Sequence, residues 1–175
     1  MILRLKRTPG IYLVGFMATG KSTIGRLLSD ELGWYFADLD EQIEQAAGAS
    51  ITHLFETQGE PAFRQLEHER LAALVRQVEY GKPHVVALGG GAFAQDSNYE
   101  LLENNGVTIW LDCPLEVLER RVARAQHRPL ARDLDKFRSL YETRREAYSK
   151  ADYRIEVSDA DATEHVRSIM KLPLF

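Results

Sequence analysis

Cysteine occurs once in the 175 residues, at Cys113. A single thiol excludes an intrachain disulfide and a cysteine-rich metal site, and it fits a reducing cytosol. Long apolar runs are also missing. No stretch approaches the length of a membrane span, and the opening MILRLKRTPG has too short an apolar part for a secretory signal. The expectation is a soluble cytoplasmic protein with no membrane partner. An excess of positive charge is absent as well: Lys and Arg number 22 against 26 Asp and Glu, a net charge of −4. This excludes a general nucleic-acid binder that works through a basic field. Any anion held by such a chain must be caught by individually placed arginines. Internal repeats and low-complexity tracts are absent too.

What is present suits one folded domain spanning residues 1–175. At 45% hydrophobic and 27% charged, the chain can bury a core and keep a solvated surface. The runs IYLVG, WYFADLD, HVVALGGG, VTIWLDC and YRIEVS read as strands. Helical patterns lie between them, beginning near Lys21, Asp40, Pro61, Ser97, Pro114, Asp133 and Thr163. Strands that are apolar throughout and spaced by helices predict an α/β fold, a buried parallel sheet with helices on both faces. Residues 124–135, rich in ionisable side chains and poor in periodicity, read as a surface loop within the domain.

The stretch GFMATGKS, from Gly15 to Ser22, fits G-x-x-x-x-G-K-[ST] in full. It follows a predicted strand and opens a predicted helix, which is the context that gives this motif its meaning. Backbone N–H groups and the helix N-terminus make an anion cradle. Lys21 is placed to reach the β- and γ-phosphates of a nucleoside triphosphate, and the Ser22 hydroxyl to ligate Mg²⁺. Such a site also wants a carboxylate at the end of a neighbouring strand. HVVAL runs into glycines, which leaves Asp38 and Asp40 in FADLD, and Asp112 in WLDCP. Two aspartates two residues apart point the same way on an extended chain. One could serve the metal and the other a second substrate. Asp40 also suits a helix N-cap, and Asp112 reads as an ordinary strand exit.

The triplet Gly89, Gly90, Gly91 either makes a tight turn or lets backbone approach a ligand closely. In GEPAFRQLE, Arg64 and Glu67 share one helix face; HRPLARD contributes Arg128, and YETRREAY offers Arg144 and Arg145. Arginine forks match carboxylate and phosphate oxygens, although for each arginine taken singly a solvated surface role is the favoured reading.

Taken together, GFMATGKSTIGRLL, DLD, GEPAFRQLE, LGGGA, RPLA and YETRREAY, in this order and spacing, resemble the shikimate kinases over nearly the whole chain. The resemblance implies a nucleoside monophosphate kinase-like fold: a three-layer α/β/α domain with a five-stranded parallel sheet, a substrate-binding region near residues 40–70 and a lid near 124–135. It implies transfer of the ATP γ-phosphoryl group to the 3-hydroxyl of shikimate, in the biosynthesis of aromatic amino acids. The ATP cradle would comprise Gly15, Ala18, Thr19, Gly20, Lys21, Ser22 and Thr23, with Arg121 stacking on adenine and Arg128 reaching the phosphoryl group from the lid. Ser22 and Asp38 match the Mg²⁺ site, and Asp40 matches the residue that holds the shikimate hydroxyls and accepts the proton. Arg64 and Arg145 match the carboxylate clamp, Glu67 the residue that positions Arg64, and Gly89, Gly90 and Gly91 the wall behind the ring. Lys21, Asp40 and Arg128 would be the catalytic groups. A monomer binding ATP and shikimate, with no nucleic acid, is expected.

Two positions depart from the family's pattern. Leu39 stands where a small hydroxyl residue is common, and strand alternation should point it away from the ligands. Ala18 stands where many members have glycine, which matters if the backbone there needs a positive φ. A gluconate or nucleotide kinase would share the P-loop without needing both arginines and the glycine triplet. A non-catalytic ligand sensor would be expected to lose Asp38 or Asp40 and to carry a DNA-binding extension, whereas both aspartates remain.

Overall fold

The computed structural model describes residues 10–125 and 133–174. Five strands alternate with helices: β1 (Gly10–Val14), α1 (Lys21–Leu32), β2 (Tyr35–Asp38), α2 (Leu39–Ala47), α3 (Ile51–Glu79) and β3 (His84–Ala87). After a 3₁₀ turn at Ala92–Ala94 come α4 (Asp96–Glu103), β4 (Val107–Asp112), α5 (Leu115–Arg124), α6 (Leu134–Tyr148), β5 (Tyr153–Glu156) and α7 (Ala162–Met170). All strands are parallel, in the order β2-β3-β1-β4-β5.

This order explains the burial. The inner strands β1, β3 and β4 are buried at every residue, while the edge strands β2 and β5 alternate. Strands covered by helices on both faces have no use for a polar side, so their sequences are predominantly apolar, with His84, Thr108 and Asp112 the buried polar exceptions. The core runs through Tyr12, Leu13, Val85, Val86, Ile109 and Leu111 of the sheet to Leu28, Leu71 and Phe137 of the helices. Among the described residues no helix is long and apolar enough to cross a membrane. In an open parallel sheet the ligand crevice lies beyond the carboxyl ends of the strands. Here that edge carries the loops after β1, β2, β3 and β4.

Two helix assignments differ from the sequence reading. Helical structure resumes at Ile51, ten residues before Pro61, with the Ser50 hydroxyl accepting the His53 N–H at 3.2 Å as N-cap. The segment breaks at Gly59, whose φ of 82° and ψ of 170° are not helical, and a second helical run starts at Pro61. Proline suits a first helical turn because its missing N–H is not needed there. The chain therefore turns a corner at Gly59, and the short first run folds back toward the sheet edge. The second difference is at β2, which ends at Asp38, so Leu39 and Asp40 are already helical.

A backbone constraint sits at the opposite end of the sheet. Gly106 enters β4 with φ +148°, and a Cβ there would lie 2.5 Å from the Gly10 carbonyl oxygen. Gly106→Ala should therefore destabilise the fold by about 2–4 kcal/mol through combined strain and overpacking. Urea denaturation of the two proteins checks this; an unchanged midpoint would mean that the β1–β4 entry relaxes freely.

Candidate active site

The P-loop lies between β1 and α1. Thr19, buried, donates its hydroxyl to the Phe16 carbonyl at 2.8 Å, and Lys21 Nζ donates to the Gly15 and Phe16 carbonyls at 2.8 and 2.9 Å. The lysine is thereby folded over the loop it belongs to. Ala18 has φ 65° and is the one non-glycine residue among those described with a positive φ. The position does need a left-handed backbone, and alanine adopts it at a cost. Its carbonyl accepts from Arg121 Nη1 at 2.8 Å, and Arg121 Nη2 donates to the Ser158 carbonyl at 2.9 Å. Arg121 thus joins α5, the P-loop and the loop after β5. Arg128 and most of the expected lid lie outside the described residues.

Asp38 uses both carboxylate oxygens. Oδ1 accepts the N–H groups of Asp40 at 3.0 Å and Glu41 at 3.3 Å, capping α2, and Oδ2 accepts the Ser22 hydroxyl in a short hydrogen bond. The N-cap is therefore Asp38, not Asp40. The helical turn, not strand alternation, separates the neighbours: Leu39 is fully buried in the core, and Asp40 turns toward the P-loop. Hard oxygen donors at Ser22 and Asp38 suit Mg²⁺, which takes few protein ligands alongside substrate phosphates. Among the described residues there is no group of three or more His, Cys, Asp or Glu side chains able to hold a metal by themselves.

Two cavities meet at Asp40. One, of 310 Å³, runs along the P-loop past Lys21, Ser22 and Asp38; the other, of 520 Å³, extends past Phe55, Phe63, Arg64, Glu67 and Arg144. Both are bounded by Met17, Asp40, Gly89 and Gly90. Two of the three glycines leave room for charged side chains that come close. A Cβ at residue 89 would lie 2.6 Å from Asp40 Oδ1, and one at residue 91 would lie 2.5 Å from Arg64 Nη2 and 2.9 Å from Arg144 Nη1. Gly90 contributes its carbonyl, which accepts the Tyr148 hydroxyl at 2.5 Å.

The charges are arranged in opposed sets. Burial pushes the Asp40 carboxyl up from its ordinary value, Asp38 reinforces this, and Lys21 and Arg64 oppose it. Glu67, 1% exposed, accepts from Arg64 Nη1 at 2.8 Å; its carboxyl is also raised by burial, with Arg64 pulling the other way. Glu60 holds the outer edge of the same guanidinium at 3.3 Å. Arg64 is thus held by two carboxylates on its own helix, one of them buried.

Arg145 is not in this site. Its guanidinium lies against Asp112, at 2.6 Å from Oδ1 and 3.3 Å from Oδ2, and also donates to the Tyr141 hydroxyl at 2.9 Å. The arginine beside Arg64 is Arg144. On α6, Leu140 and Arg144 share the flank facing the second cavity, whereas Tyr141 and Arg145 share the flank facing β4. Asp112 is correspondingly no plain strand exit: it carries Arg145 and, at 2.6 Å, Arg154. A groove of 720 Å³ passes these residues, but none of the P-loop lines it and its arginines are already paired. The sequence reading also missed the apolar residues Met17, Ile51 and Phe55 of the second cavity. The Ser50 cap and the spacing of Ile51, Leu54 and Phe55 were the signals that could have revealed that helix.

The shikimate kinase family model matches residues 17–172. A shikimate kinase of Caulobacter vibrioides is 40% identical over 167 residues, covering 94% of this chain and 82% of that protein. The solved structure of Acinetobacter baumannii shikimate kinase in complex with shikimate superposes with a TM-score of 0.87 at 38% identity, covering 97% of this chain and 94% of that one. A gluconokinase from Sinorhizobium meliloti, at 21% identity and a TM-score of 0.58 over 92% of this chain and 89% of that one, shares the fold alone.

Two outcomes follow from the local geometry. Ala18→Gly removes a left-handed alanine worth roughly 1–2 kcal/mol and adds about 0.4–1 kcal/mol of unfolded-chain freedom. A net stabilisation of about 1 kcal/mol or less is expected in denaturant titrations; a loss would mean that the alanine methyl packs more favourably than the strain costs. For Asp40 the folded carboxyl titrates above its ordinary value, so its share of stability is complete at low pH and is lost as pH rises through that raised value. Asp40→Asn should raise Tm at pH 7, the difference from wild type vanishing in acid, while kcat falls about a hundredfold or more. A lower Tm at pH 7 would contradict the charge assignment.

Proposed function

The chain belongs to the shikimate kinase family, and we propose that it transfers the γ-phosphoryl group of ATP to the 3-hydroxyl of shikimate at the junction of the two cavities. The observation that carries this reading is the meeting of a P-loop cavity and an arginine-lined cavity at one buried carboxylate, Asp40. Phosphoryl transfer asks a protein chiefly for alignment and charge neutralisation, and each cavity supports one half of that task.

In the first cavity the P-loop N–H groups from Gly15 to Thr23 cradle the ATP phosphates, and Lys21 exchanges its loop carbonyl partners for phosphate oxygens. Arg121 borders the adenine, its orientation held by the Ala18 and Ser158 carbonyls. Ser22 and Asp38 are the residues that would hold Mg²⁺, with the Asp38 carboxylate also engaging the Ser22 hydroxyl and the α2 N-terminus. When bound, the ion neutralises charge on the phosphates. Arg128, in the lid segment, supplies a further positive charge.

In the second cavity Arg64 and Arg144 grip the shikimate carboxylate. Arg64 is fixed for this by Glu67, and a guanidinium fork matches a carboxylate in geometry as well as charge. Gly89, Gly90 and Gly91 let the ring lie against backbone, with Phe55 and Phe63 on its apolar side. Asp40 orients the 3-hydroxyl toward the phosphate and accepts its proton. Its raised pKa brings it nearer to what a base at neutral pH requires. The protein works as a single-domain monomer in the cytoplasm.

A coupled assay offering shikimate, quinate and gluconate should give turnover with shikimate alone; equal turnover of gluconate would overturn the substrate assignment. Lys21→Ala should abolish measurable transfer while the circular dichroism spectrum stays that of wild type. Arg144→Lys, which cannot reproduce the fork, should raise KM for shikimate at least about tenfold and leave KM for ATP unchanged. For an analogue whose carboxylate is reduced to an alcohol, the same substitution should have little further effect. Equal losses with both compounds would remove Arg144 from the clamp.

A further inference from the structure

Arg144 reaches the substrate cavity only if α6 keeps one rotational setting about its axis. A rotation of one residue, about 100°, would exchange it for Arg145. Three side chains on the sheet-facing side of α6 anchor that setting. The Tyr141 hydroxyl donates to the Cys113 carbonyl at 2.9 Å, Arg145 forks onto Asp112, and the Tyr148 hydroxyl donates to the Gly90 carbonyl. The Arg145 guanidinium also lies 4.9 Å from the Trp110 ring centre and 5.3 Å from that of Tyr141. Of the three anchors only this one joins opposite charges, and its acidic partner is 8% exposed.

We propose that Arg145 and Asp112 form a positioning pair that fixes the rotational setting of α6, and so the aim of the Arg144 fork at the substrate carboxylate. The pair acts on the specificity side of the reaction without touching substrate. Asp112 suits this because it ends β4, the neighbour of β1, so that α6 takes its bearing from the same strand pair that carries the P-loop. Asp112 has a second cationic partner, Arg154, on Oδ2 at 2.6 Å, so replacing Arg145 should not strip it of charged contacts. Removal of Arg145 therefore leaves no buried unpaired charge, and the loss should be one of aim.

This inference rests on the assignment of Arg144 to the carboxylate clamp, and a double-mutant cycle separates the two. Arg145→Met, which keeps an unbranched side chain without the charge, and the milder Arg145→Lys are each made in wild-type and Arg144→Lys backgrounds. Initial rates then give KM for shikimate and for ATP. In the wild-type background Arg145→Met should raise KM for shikimate roughly five- to tenfold, a loss on the scale of one ordinary hydrogen bond. Arg145→Lys should raise it less, and KM for ATP should stay within about twofold in both. In the Arg144→Lys background the effect of Arg145→Met should shrink to less than about twofold, because a residue that acts through Arg144 has nothing left to aim. An unchanged KM for shikimate in the single variant, or the same increase in both backgrounds, overturns the positioning role. So does a parallel rise in both KM values, the mark of a merely structural residue. Should Arg145→Met fail to fold, the Lys variant carries the same comparison. If Arg144→Lys by itself leaves KM for shikimate unchanged, the clamp assignment fails instead, and the positioning pair with it.

Discussion

The Asp38 carboxylate is the contact on which the site's geometry depends. One oxygen accepts the backbone N–H groups that begin α2, and the other accepts the Ser22 hydroxyl at the start of α1. Two helices that leave the sheet from different strands are thereby tied to one side chain. The cap ends β2 at Asp38 and turns the chain at once into α2, which sends Leu39 into the core and Asp40 toward the P-loop. An N-cap contributes on the order of 1 kcal/mol to stability. Here the cap also fixes where the proton acceptor stands relative to the phosphate cradle.

The site is otherwise built at the expense of stability. Burial and Asp38 both work against charge on Asp40, Glu67 is buried with one arginine, and Ala18 occupies a left-handed conformation. Each would be relieved by a substitution that weakens the chemistry or leaves it unaffected, as is common where catalytic groups are held in unfavourable surroundings. The glycines at 89 and 91 belong to the same arrangement. They hold no unusual backbone conformation; they leave out the atoms that would collide with Asp40, Arg64 and Arg144. The rigid support lies behind, in the fully buried strands β1, β3 and β4.

The break at Gly59 connects the fold to the substrate cavity. A straight helix from Ile51 to Glu79 would carry its first two turns away from the crevice. Bent at Gly59 and restarted at Pro61, α3 instead brings Ile51 and Phe55 to the same cavity as Phe63, Arg64 and Glu67. One element thus supplies the apolar side and one of the two clamp arginines, with Glu60 and Glu67 holding Arg64 on the second run.

The sequence by itself determined the parallel sheet, because strands buried on both faces must be predominantly apolar. It determined the phosphate loop, because a complete motif between a strand and a helix has few other uses. It also determined which residues are chemically able to act: Lys21, Ser22, Asp38, Asp40, Arg64, Glu67 and the glycine triplet all lie at the crevice. What it left open depended on direction. Arg144 and Arg145 are adjacent and chemically identical, and helical periodicity puts both at the borders of the buried stripe of α6, one on each flank. Which flank faces the substrate is decided by where β4 ends and where Asp112 stands, and no local pattern encodes that. The same holds for Asp38 and Asp40, whose division of labour turns on where a strand becomes a helix. Residue type and spacing are properties of the chain, whereas the azimuth of a helix is set only when it packs against elements distant in sequence.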